Sequence, residues 1–76
     1  MPTILRLKGY RFFWFSNESR EPIHIHVIRE KTEAKFWLSP VRLAENCGFP
    51  EHELRTIKKL IEENEETIKN AWNSRS

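Results

Sequence analysis

Seventy-six residues with a net charge of +2 and one cysteine make a single small domain, near the lower limit for burying an independent core. The lone Cys47 excludes an internal disulfide and a cysteine-rich zinc site, while an early Arg6 and the lack of any apolar run of about 18 residues argue against a secretory signal and a membrane span, so a soluble cytoplasmic protein is expected. Charge is uneven: Met1 to Leu38 carries seven basic and four acidic residues, or +3, and Ser39 to Ser76 six and seven, or −1, too small a balance to indicate nucleic acid by itself.

Thr3 to Lys8 and Tyr10 to Phe15 are β-branched and aromatic runs separated by Lys8-Gly9, which predicts a tight hairpin with Gly9 at positive φ. Ser16 to Pro22 is a polar loop closed by proline. Strands are expected again over Ile23–Arg29 and Glu33–Leu38, completing a meander of four antiparallel strands. Ser39-Pro40 looks like a helix entrance, with Ser39 as cap and Pro40 at the first helical position. That short helix would run over about residues 40–47 and stop at Gly48. A long helix over about residues 50–73 follows, because Leu54, Ile57, Leu60, Ile61, Ile68, Ala71 and Trp72 recur at three- and four-residue steps. The predicted class is α+β: a four-stranded antiparallel meander, then a short and a long helix packed on one face.

Period-two alternation splits each strand into two faces. Ile25 and Val27, Tyr10, Phe12 and Trp14, and Ala34, Phe36 and Leu38 form an apolar face that the helices should cover. His24 and His26 fall on the other face with Arg11, Phe13, Phe15, Lys35 and Trp37, and this face is expected to be open. Two histidines about 6 to 7 Å apart at Cα suit two ligands of one metal ion, an acid and a base flanking a phosphodiester, or plain packing within a mixed sheet face. A metal would need a third ligand from Glu18, Glu21 or His52, and no metal or cofactor is assigned. For RNA cleavage, His24 and His26 would move protons, and Lys35 or Arg11 would meet the developing phosphorane charge. Phe13, Phe15 and Trp37, with Arg29, would supply stacking surfaces and a phosphate contact. The Glu62–Glu66 run reads as a solvated helix face, and Cys47 as a packing residue at a helix end.

Three stretches, "MPTILRLKGYRFFWFSNESREPIHIHV", "AKFWLSPVRLAENCGF" and "EHELRTIKKLIEENEETIKNAW", together resemble the small bacterial proteins of the family domain of unknown function 4160, in order and from Met1 to Trp72. Ile23 stands where many members carry a second proline. The resemblance implies a toxin component of a type II toxin–antitoxin arrangement, encoded beside a small antitoxin-like partner of the family domain of unknown function 2442. It assigns no catalytic residue, so the candidate site rests on the residues themselves. On the residues, an enzyme-type toxin would bind RNA on the His24 and His26 face and cleave it without an organic cofactor; a non-catalytic protein-binding module or antitoxin-like partner using the sheet edge or the histidine and aromatic face is the alternative. An open edge also leaves a homodimer available.

Overall fold

The computed structural model describes residues 3–14, 21–38 and 40–74. Five strands, β1 (Thr3–Leu7), β2 (Tyr10–Phe13), β3 (His24–Arg29), β4 (Thr32–Trp37) and β5 (Arg42–Cys47), form one antiparallel sheet in the order β1-β2-β3-β4-β5. Two helices follow, α1 (Glu51–Glu63) and α2 (Glu65–Ser74). The first hairpin turns as expected at Lys8-Gly9, with φ of 51° and 84°, the pair of left-handed residues that matches the twist of the flanking strands. Glu30 at φ 56° starts the equally short turn between β3 and β4.

The predicted helix over residues 40–47 is a strand instead, so the meander has five strands rather than four. Leu43, Ala44 and Glu45 are good helix formers, but Arg42 to Cys47 carries no apolar stripe of helical period with which to pack. As a strand it pairs Glu33 with Cys47, Lys35 with Glu45, Phe36 with Leu43 and Trp37 with Arg42, with one irregularity at Ala44. That ladder answers the backbone donors and acceptors on the outer side of β4, which a helix would have left open. Ser39, read as a helix cap, lies outside the described residues.

The predicted long helix is two. Asn64 adopts φ −118° and ψ 17°, and its side-chain amide donates to the Leu60 carbonyl at 2.8 Å, beside its own backbone N–H. Asparagine competes for backbone acceptors in this way and favours helix ends. The apolar stripe also lapses between Ile61 and Ile68, so nothing holds the chain straight there. Ile57, Leu60 and Ile61 of α1 and Ile68 of α2 close the core against Tyr10, Phe12, Trp14, Ile25, Val27, Ala34 and Phe36.

Gly48 leaves β5 at φ 109°, and a Cβ built there would meet Thr32 Cγ2 at 2.8 Å. Gly48→Ala is therefore expected to lower stability by about 1–3 kcal/mol, read as a lower urea midpoint at unchanged m-value. Adding Thr32→Ser, which deletes Cγ2, should recover part of the loss and leave the cost of the left-handed backbone.

Candidate functional site

The face of the sheet away from the core is ordered by strand register. One row runs Phe13, His26, Lys35, Glu45, a second runs Arg6, Arg11, Ile28, Glu33, Cys47, and a third runs His24, Trp37, Arg42. The two histidines do project together, their ring centroids 5.3 Å apart and nearly perpendicular. The face around them is not open, however: His24 is 0% exposed and His26 8%. Aromatic rings are the reason. Phe13 stacks on His26 at 5.3 Å and 18°, and Trp37 and Trp72 meet His24 edge-on at 5.8 and 5.2 Å. Trp72 also packs at 5.1 Å on Trp14, which belongs to the core cluster, so α2 reaches round the end of the sheet and touches both layers.

Each histidine has a defined polar neighbour. His24 Nδ1 lies 2.9 Å from the Pro22 carbonyl oxygen, an acceptor only, so this nitrogen is the donor and carries the proton. Glu21 Oε1 is 3.9 Å from the same nitrogen and also accepts from the Lys35 ammonium. His26 Nδ1 faces Glu33 Oε2 at 3.5 Å. Lys35 lies over the Trp37 ring at 4.7 Å, and Arg11 over Phe13 at 5.2 Å. Beside His26 is a cleft of about 60 Å³ lined by Glu33, Ala34, Lys35, Glu45 and Cys47.

Chemically, this places one partly accessible imidazole against a carboxylate, with an ammonium across the next strand. A carboxylate at that position orients an imidazole. Cations and carboxylates are interspersed on the face, and Lys35 is already neutralised by Glu21, unlike the continuous positive stripe that a phosphate backbone favours. Among the described residues, no group of three or more His, Cys, Asp or Glu is arranged to hold a metal ion. Phe15 and Glu18 lie outside the described residues. His52 is exposed in the first turn of α1, away from the other histidines.

Arg29 does not join this group. Its side chain lies over the Tyr10 ring at 5.0 Å, donates to the Tyr10 hydroxyl at 3.3 Å and pairs with Glu53 at 3.1 Å. Its position follows parity, since Arg29 shares a face with Ile25 and Val27 rather than with the histidines. Sequence reasoning also missed Glu33 as the neighbour of His26. Counting back from the two-residue turn at Glu30-Lys31 gives the register that sets Glu33 diagonal to His26, so that signal was available. The placement of Trp72 over His24 had no such signal.

The sequence model of the family described as Domain of unknown function (DUF4160) matches residues 9–73. The chain belongs to this family. Neither the curated proteins nor the solved structures contain a match. The stretch shared with DUF4160 runs from the turn before β2 to residue 73 in α2 and so includes both histidines, Glu33, Lys35 and all of β5. No helix among the described residues is long and apolar enough to cross a membrane.

Tyr10 ties the first hairpin to α1, donating to Glu53 Oε1 at 2.7 Å. Burial, then the hydrogen bond to the Glu53 carboxylate, pushes the Tyr10 phenol above its ordinary range. A group whose folded pKa is raised contributes stability that is present below its unfolded value and lost as pH climbs through the folded one. Tyr10→Phe is expected to cost about 0.5–1.5 kcal/mol at neutral pH. In urea titrations between about pH 8 and pH 11, the wild type should lose stability more steeply than Tyr10→Phe, so that the gap between them narrows.

Proposed function

We propose that this DUF4160 chain is the toxin-like component of a two-protein bacterial module of type II toxin–antitoxin character, and that its small antitoxin-like partner neutralises it by adding a strand to β5. One observation carries the docking mode. β5 is the last strand of the sheet, five of its six side chains are exposed, and no strand among the described residues pairs with its outer side. An edge of this kind offers a row of main-chain donors and acceptors, which give affinity, while alternate side chains select the partner. Leu43, 43% exposed and the one exposed large hydrophobic side chain among the described residues, is the apolar contact such a strand would cover.

Leu43→Lys places a charge on the edge, a device that blocks strand addition. Co-expressed with the neighbouring small protein, this variant is expected to lose co-purification at least about tenfold while its far-UV circular dichroism stays that of the wild type. It should also stop growth under conditions where the wild-type pair does not. Retained co-purification would remove β5 from the partner interface.

A second reading, cleavage of RNA by the toxin-like chain, is favoured by the His26 and Glu33 pair at 3.5 Å beside the cleft. His26 would take the 2′-hydroxyl proton while water protonates the leaving 5′-oxygen, Glu33 would orient the ring, and Lys35, exchanging Glu21 for substrate, would meet phosphorane charge. His24, wholly buried under Trp37 and Trp72, would hold the His26 ring rather than touch substrate. With labelled RNA and purified protein, His26→Gln is expected to slow cleavage by about a hundredfold or more and to leave partner binding intact. Equal cleavage by both proteins would eliminate this chemistry.

A further inference from the structure

We propose that the β5 edge is self-complementary, and that a second copy of this chain occupies it when no partner strand does. The two β5 strands would pair antiparallel with Arg42 of each copy opposite Glu45 of the other. This rests on the reading of β5 as an open docking edge and names its competing occupant.

The observation behind it is the irregularity at Ala44. Residues three apart on a regular strand fall on opposite faces of a sheet. In β5, Arg42 is opposite Trp37 and Glu45 opposite Lys35, both on the histidine face, whereas Leu43 is opposite Phe36 and Asn46 opposite Ala34 on the helix face. The extra residue Ala44 therefore brings Arg42 and Glu45 onto one face. Directly opposed residues of an antiparallel pair share a face, and a two-fold axis perpendicular to the sheet preserves faces. Arg42 of one copy and Glu45 of the other can then meet twice, symmetrically, as an isologous interface requires. In the same register Leu43 lies opposite Ala44 of the second copy, which covers the exposed leucine.

The other edge does not have this property. β1 carries Arg6, Lys8 follows it, and Thr3 to Lys8 contains no acid, so self-pairing there would oppose like charges. β5 has one cation and one anion, correctly spaced. Self-association through β5 and strand addition by a partner are mutually exclusive, which makes the free edge available only as the dimer dissociates.

Sedimentation equilibrium of the purified chain tests this by charge reversal. The wild type is expected to dimerise, and Arg42→Glu and Glu45→Arg each to weaken the dimer by about tenfold or more, because each creates two like-charge pairs. The double variant Arg42→Glu/Glu45→Arg should return close to wild-type affinity, a rescue that only reciprocal pairing between copies produces. Circular dichroism checks that every variant remains folded. A monomeric wild type, or a double variant no better than the singles, overturns the inference. Adding the neighbouring small protein separates the two readings. Dimer rescue without displacement by that protein keeps the self-complementary edge and rejects β5 as the partner's site, whereas binding of that protein to a chain that never dimerises does the reverse.

Discussion

Backbone hydrogen bonding of β4 on both sides is the constraint from which the rest of this structure follows. β4 pairs with β3 through a six-position register and with β5 through five positions around one irregularity. Placing β5 there makes β4 an interior strand like β3 and extends the rows of side chains on the outer face. It also moves the open edge to Arg42–Cys47, where the side chains are mixed in charge and mostly exposed. A helix in that position would have exposed the long ladder of β4, a more apolar template for aggregation.

The histidine face shows how a small domain finds enough to bury. With few residues to divide between inside and outside, the sheet packs both of its faces at the His24 end. Ile25 and Val27 meet the helices, while His24 and His26 are enclosed by Phe13, Trp37 and Trp72. Imidazole suits this position because it stacks as an aromatic and still satisfies polar neighbours, here the Pro22 carbonyl and the Glu33 carboxylate. The two rings consequently differ in what they can do. His24 is enclosed with its Nδ1 directed at the Pro22 carbonyl, and His26 keeps a small opening onto a cleft shared with Glu33, Glu45 and Cys47.

Two cations of the sheet are each held between a carboxylate and an aromatic ring. Lys35 is held by Glu21 and by the Trp37 ring, and Arg29 by Glu53 and the Tyr10 ring. Pairs of this kind orient strands against each other and against α1 and contribute little to long-range attraction. Arg29 and Lys35 of the first half of the chain are held in this way, whereas Arg6, Lys8 and Lys31 are exposed.

By itself the sequence determined what depends on neighbours a few residues apart. The Lys8-Gly9 turn, the alternation that puts His24 with His26 and Ile25 with Val27, and the apolar stripe from Leu54 to Trp72 all follow from local sterics and periodicity. Tertiary structure decided the rest. Arg42–Cys47 became a strand because β4 needed a second neighbour, and a residue's own helix propensity is worth less than a ladder of backbone bonds. The helix broke at Asn64, where a polar side chain fell on the line of the core. His24 was buried by Trp72, forty-eight positions away along the chain, and no local pattern carries information over that separation. Side-chain facing is a property of the strand, but what covers a face is a property of the whole packed molecule.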